Sequence, residues 1–248
     1  MTLNKKKICN YDGRARGPAT PMPALLSQHL HLGAATIALK MGLSHYSDYF
    51  FKFGLGDKSG IDLPSEASPL TKKMHTPTDI DVAVGAYGQG FAVSPIDMTR
   101  SLSILANGGY LVTPHIVKEI DYTDGTTEKV APQKVGPLLK QQTLNDVRKM
   151  LITVVDDKLA NGTIKKDHYT MAAKTGTAEI ADLANGGYYK DRYLHSFFGY
   201  FPATAPKFIV FLYQVYPKGA PYASETLTKP FDDLATFLLN YYSIQPDR

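Results

Sequence analysis

The stretch Ala173-Lys174-Thr175-Gly176-Thr177-Ala178-Glu179 decides how this chain reads. It sits inside Thr170 to Ile180, a segment of strand character, and the residues C-terminal to it are patterned to build a sheet beside it. Tyr193 to Phe201 reads as a second strand and Phe208 to Tyr216 as a third. The third is almost wholly apolar, as expected of a central strand covered on both faces. Pro202 to Lys207 is short enough to join the last two as an antiparallel hairpin. A helix from about Thr226 to Tyr242 closes the chain, with Leu227, Phe231, Leu234, Leu238 and Tyr241 as its apolar stripe.

Upstream of that strand the chain alternates helices and loops. Residues 1–23 are polar, rich in Gly, Arg and Pro, and read as coil. Leu25 to Met41 is apolar and alanine-rich, which predicts one helix closed by Gly42. A second helix starts at Ser44. Its Tyr46, Tyr49, Phe50 and Phe53 share a face that reads as core, and Gly54 ends it. Residues 55–80 are punctuated by Gly, Pro, Ser and Asp and read as a long loop. Gly85-Ala86-Tyr87-Gly88-Gln89-Gly90 is a tight glycine-rich turn. It lacks the Gly-Lys-Ser/Thr ending of a phosphate loop and the spacing of a dinucleotide fingerprint, which argues against a nucleotide site. Ser94 caps the next helix, Pro95 suits its first position and Asp97 its first turn. Met98, Leu102 and Leu105 form its apolar face, and Asn107-Gly108-Gly109 stops it. Tyr110 to Tyr122 is strand-like around Pro114, with a turn at Asp124-Gly125. Thr143 begins a helix whose buried face is Leu144, Val147, Leu151 and Val154, and Asn161-Gly162 is a turn.

The 248 residues are 44% hydrophobic, enough to bury a sizeable core, and 20% charged. The net charge of +4 is spread over short runs such as Lys5-Lys6-Lys7, Lys72-Lys73 and Lys165-Lys166. These read as solvated surface, and no nucleic-acid partner is expected. Cys9 is the only cysteine, so no internal disulfide forms. No apolar run is long enough to span a bilayer, and none comes after the basic start as in a signal peptide. On their own these features point to the cytoplasm, an expectation that fails if the chain is a piece of something longer.

Lys-Thr-Gly alone is a weak match, but its setting is specific. Lys174-Thr175-Gly176, with Gly85 to Gly90, Val93-Ser94-Pro95, Leu105-Ala106-Asn107-Gly108-Gly109, Phe53-Gly54-Leu55-Gly56, Gly60-Ile61-Asp62-Leu63-Pro64 and His195-Ser196-Phe197-Phe198-Gly199-Tyr200, resembles the class B penicillin-binding proteins. These share the Ser-x-x-Lys, Ser-x-Asn and Lys-Thr-Gly motifs with the serine β-lactamases. The likeness runs from about Ala24 to Arg248. It implies an α/β fold of the β-lactamase and transpeptidase type, a mostly antiparallel sheet flanked by helices with an adjoining helical lobe. It also divides the chain into an irregular segment over 1–23 and, over 24–248, the C-terminal part of a penicillin-binding transpeptidase domain.

The resemblance implies a chemistry as well. The family cross-links peptidoglycan as a D,D-transpeptidase through an acyl-serine, and penicillins acylate the same serine. A stem peptide ending in D-alanyl-D-alanine, or a β-lactam, presents a carboxylate. Lys174 supplies positive charge near it, and the hydroxyls of Thr175 and Thr177 can donate to it. Gly176 lets an extended substrate lie close to the strand edge. The Thr177 backbone N–H corresponds to half of the oxyanion hole, a donor worth roughly 3–4 kcal/mol in acyl transfer. No cofactor is implied.

Two departures stand out. No Ser in the chain is followed three residues later by Lys. Some Thr residues are, among them Thr126, Thr163, Thr204 and Thr226, and these four lie in the wrong region or in turns. The nucleophile serine is therefore expected before Met1, in a missing N-terminal part of the domain, leaving the sheet incomplete and this chain inactive alone. The second departure lies before Leu32-Gly33-Ala34-Ala35, where counting back puts His29-Leu30-His31 in place of Ser-x-Asn. Histidine can hydrogen-bond and transfer protons, though its ring is larger. His-x-His also suits zinc, but no Cys or third His stands nearby in sequence, so no metal is expected. The alternative function is a non-catalytic, transpeptidase-like module that binds stem peptides or protein partners. The family is anchored in the inner membrane with its catalytic domain outside, while this chain shows no signal or membrane segment of its own.

Overall fold

The structure is a computed structural model describing residues 1–3, 5–17 and 20–248. In chain order its elements are β1 (Thr2–Leu3), β2 (Lys6–Lys7), α1 (Met22–Ser27), α2 (His31–Met41), α3 (Leu43–Lys52), α4 (Asp79–Gly85), α5 (Pro95–Ser103), β3 (Leu111–Val112), β4 (Glu119–Asp121), β5 (Thr127–Lys129), β6 (Lys134–Val135), α6 (Gln141–Asp157), β7 (Ala172–Ala181), β8 (Tyr188–Phe201), β9 (Phe208–Val215) and α7 (Ala223–Tyr241). The fold is α/β, with antiparallel pairing throughout.

The main sheet has the order β7-β8-β9. Alternate residues of each strand face opposite layers. Phe197 and Phe201 pack on Phe231, Ala235 and Leu239 of α7, and Gly199 admits the Phe231 ring, which a Cβ there would meet at 2.5 Å. Ala172, Phe198 and Tyr200 face the other way, against Leu151 of α6 and the α5 side chains Leu102 and, just beyond, Leu105. The three described strands place Phe208–Val215 last in order, with helices on its faces and no further strand beyond it among the described residues.

A helical lobe stands across from the β7 edge, where α2, α3 and α4 meet around Ala35 and Ala83. The single helix expected over Leu25 to Met41 is two. His29 N–H bonds to the Leu26 carbonyl and Leu30 N–H to the Leu25 carbonyl, so α1 ends in a Schellman turn. His29 occupies its left-handed position at φ 56°, where glycine is usual, and buried Leu30 supplies the apolar residue after it. The coil expected over residues 1–23 contains the β1–β2 pair and the first residues of α1.

Two other expectations shift. Tyr110 to Tyr122 is not one strand: within it β3 pairs with β6 and β4 with β5, and the stretch between is unpaired because Pro114 lacks an N–H and Asp62 takes the Ile116 and Val117 amides. Helix α6 starts at Gln141, ahead of Thr143, with Gln141 bonded to Asn145 and Gln142 to Asp146 along its first turns. The capping box at Ser94 and Asp97 is as read from the sequence.

Candidate functional site

Between the β7 edge and the helical lobe lies an open cleft of about 1180 Å³. Lys174, Thr175, Thr177, His29 and His31 all line it, so the residues singled out from sequence converge on one place. Gly176 lies in the strand between the two threonines. A Cβ there would come within 2.5 Å of Ser196 Oγ, which crowds the same strand face.

Lys174 projects from the sheet face that carries Ala172, toward α1 and α2. Its ammonium donates to His29 Nδ1 at 2.5 Å and to the Thr175 carbonyl at 2.9 Å. One of its three protons remains, and among the described residues no carboxylate pairs with it. Burial without a counter-charge brings its pKa down to about 7. Burial, the Lys174 charge and His31 hold His29 down to about 3, so His29 is neutral at pH 7 and accepts through Nδ1. That fixes its remaining proton on Nε2. The Schellman turn makes this geometry possible: a His inside a continuous helix would leave along the helix face, whereas the left-handed residue turns its side chain out toward β7.

His31, the first residue of α2, is held differently. Its ring stacks on Tyr87 with centroids 4.5 Å apart, and burial lowers its pKa against the opposing effect of the nearby Cys9 backbone. The rings continue in both directions. His29 meets His31 edge-on at 5.7 Å and Tyr11 at 6.3 Å, and Tyr11 meets Tyr222 at 5.9 Å. Five rings thus run from the start of α7 to the glycine-rich turn. At the mouth, the Gly90 amide donates to Tyr188 Oη at 3.1 Å, tying the β7–β8 hairpin to that turn.

Thr177 is engaged from the side. Its Oγ1 accepts from the Ala223 amide, the first N–H of α7, at 3.0 Å. A hydroxyl that accepts from an amide keeps its own proton for another acceptor. The sequence reading missed Tyr11, Tyr87, Tyr188 and Tyr222. Tyr87 stands inside the quoted glycine-rich turn, but nothing in one sequence marks the other three as neighbours of Lys174. Among the described residues no group of three or more His, Cys, Asp or Glu side chains could hold a metal ion. No helix among them is long and apolar enough to cross a membrane.

Comparison with known proteins identifies the fold and the family. The penicillin binding protein transpeptidase domain family matches residues 10–234. Stage V sporulation protein D of Bacillus subtilis is 30% identical over 202 residues, covering 80% of this chain and 30% of that protein. PbpB of Mycolicibacterium smegmatis is 28% identical over 86% of this chain and 34% of its own length. The crystal structure of penicillin binding protein 3 from Mycobacterium tuberculosis with aztreonam superposes with a TM-score of 0.81 at 27% identity, covering 92% of this chain and 52% of that one. The chain thus spans about a third of the length of these two curated relatives. An α/β sheet edge bearing Lys-Thr-Gly, set against a helical lobe and matched over nearly all of its length, places this chain in the penicillin-binding protein transpeptidase family.

Proposed function

We propose that this chain carries the carboxylate-cradling part of a peptidoglycan D,D-transpeptidase site, and that it binds the D-alanyl-D-alanine end of a stem peptide along the β7 edge. The observation that carries the reading is Lys174: a largely buried ammonium with one uncommitted proton and no acidic partner among the described residues, at a sheet edge that opens on a cleft. Such a charge is costly until an anion arrives. Thr177 offers a second donor, and Gly176 leaves the strand flat for an extended peptide. The carboxylate of a β-lactam suits the same donors; penicillin binding protein 3 has been crystallised with aztreonam and with ampicillin. Relatives bear the name peptidoglycan D,D-transpeptidase.

His29 stands where the family has the Ser of Ser-x-Asn, and it takes over the partner role toward Lys174. Its neutral imidazole accepts from the lysine and presents Nε2–H, so the pair orients protons without adding charge. With a pKa of about 3 it is a poor base, and Lys174, near 7, is the group that can take or release a proton at neutral pH. The 248 residues hold no Ser-x-x-Lys, so the reading covers recognition and proton handling and assigns no acyl-accepting serine.

Calorimetry with an N-acetylated peptide ending in D-alanyl-D-alanine, as the free acid and as the C-terminal amide, tests this. The acid is expected to bind and the amide to bind at least tenfold more weakly, with acid binding lost in Lys174→Met. Equal binding of acid and amide, or binding that survives Lys174→Met, overturns it.

A further inference from the structure

One buried titratable group has no part in that reading. His195 of β8 is wholly removed from solvent and is the cross-strand partner of Thr177. Its Nδ1 lies 2.8 Å from Thr226 Oγ1, and the Thr226 hydroxyl lies 3.3 Å from the Ala223 carbonyl. Ala223 is the residue whose amide donates to Thr177 Oγ1. Two contacts of opposite sense therefore act on one residue. Thr226 holds the Ala223 carbonyl from inside the first turn of α7, and Thr177 takes its amide from outside.

We infer that His195 is a positioning residue: through Thr226 it fixes the first turn of α7, so that the Ala223 amide occupies a lone pair of Thr177 Oγ1 and turns the Thr177 proton toward the cleft. The inference rests on the carboxylate reading above and supplies its specificity. A hydroxyl free to rotate serves an acid and an amide alike, since it can donate or accept. A hydroxyl pinned as a donor favours a group that only accepts, and a carboxylate is such a group while a terminal amide is not.

The burial of His195 supports a task beyond packing. Its Nε2 makes no well-formed hydrogen bond among the described residues, and the nearby Pro221 backbone acts on the ring only by opposing the effect of burial on its pKa. An imidazole placed in the interior with one ring nitrogen unsatisfied is more costly than a leucine of similar volume. The cost is understandable if the other nitrogen is needed where it is. Burial also lowers the ring's pKa, which keeps it neutral; since the Thr226 proton goes to the Ala223 carbonyl, the ring's one proton sits on Nδ1 and is donated to Thr226 Oγ1.

Two readouts test this in the full chain, one of them independent of any ligand. The first is hydrogen exchange of the Ala223 amide compared with the Phe231–Leu239 amides of the same helix. The second is the ratio of acid to amide affinity for the N-acetylated D-alanyl-D-alanine peptide. His195→Leu and Thr226→Val are each expected to speed Ala223 exchange about tenfold, to leave Phe231–Leu239 protected, and to cut the acid preference about tenfold. His195→Asn, whose amide nitrogen can stand at the Nδ1 position, is expected to restore most of both. Thr226→Val keeps side-chain shape and carries the test if His195→Leu does not fold. Unchanged Ala223 exchange in Thr226→Val overturns the inference, as does a loss of protection spread over the whole of α7. A wild-type protein that binds acid and amide alike sinks the carboxylate reading instead, and with it the specificity role of His195; the exchange arm still decides whether His195 fixes the first turn.

Discussion

The two ends of the main sheet differ in kind. The β7 edge carries Lys174 near its start, faces a cleft, and is guarded by His29 and by the Tyr188 bridge. The outer edge of β9, Phe208-Ile209-Val210-Phe211-Leu212-Tyr213-Gln214-Val215, has no charge and no proline, and among the described residues no strand pairs with it. Tyr213 and Val215 are more than half exposed, and Phe237, Tyr241 and Tyr242 of the neighbouring helix end are exposed as well. Natural edges are usually blunted by charge, proline or cover. Here one edge is protected by a lysine whose burial costs stability, and the other carries no such device. The difference teaches that the lysine is not edge protection in the ordinary sense, because an exposed lysine would serve that purpose without the desolvation.

Removing the lysine breaks the contrast most sharply. Lys174→Met should lower affinity for the acid peptide by about a hundredfold or more, the worth of a buried charge-assisted contact. At the same time it should leave thermal stability at neutral pH unchanged or raised, since a desolvated ammonium goes with it. Calorimetry and a melting curve on the same sample decide the matter. A variant that loses stability and keeps affinity would make Lys174 a structural residue.

The β9 edge should respond in the opposite sense. The uncovered edge is expected to make this chain self-associate, and Tyr213→Lys with Val215→Lys to weaken that association about tenfold in sedimentation experiments, while affinity for the acid peptide stays within twofold. If self-association is unaffected, the bare edge is not where copies meet.

A smaller effect sharpens the β7 side. Lys174 titrates at about 7 in the free protein, and only its charged form attracts a carboxylate. A bound anion raises that pKa. Affinity for the acid peptide should therefore be flat below pH 7 and fall as pH rises above it, by up to tenfold per unit. The amide should show no such slope.

How legible all this was in the sequence depends on range. The Lys-Thr-Gly strand, the β8–β9 hairpin, the capped α5 and the closing helix rest on local patterns, and each stands within a few residues of its expected place. The apolar run of β9 reports burial of its two faces, and which strands stand beside it is not a local property of that run. The break at His29 was missed because a histidine stands at the left-handed position where glycine would have marked it. His29 and His31 were found by counting from a neighbouring pattern, whereas the row Tyr11, Tyr87 and Tyr222 joins distant parts of the chain and left no spacing to read.

The smallest expected effect concerns that break. His29 holds φ 56°, a region that costs a side-chain-bearing residue about 1 kcal/mol relative to glycine. Its folded pKa, about 3, lies below the ordinary value of 6.5. Between those values the unfolded chain binds more protons than the folded one, so stability is intact above pH 6.5 and declines as pH falls toward 3. His29→Gly removes both features at once and also the partner of Lys174. At pH 7 the relief of backbone strain and the loss of ring contacts oppose each other, and the net change should stay within about 1 kcal/mol. Between pH 6.5 and 3 the two proteins should diverge, the variant losing less stability because it has no buried imidazole to charge. Denaturant unfolding at pH 7 and pH 4.5 measures both. A variant that tracks the wild type through the acid range would show that His29 is freely protonated in the folded state, and the hydrogen bond from Lys174 to its Nδ1 could not then be the resting arrangement of the β7 edge.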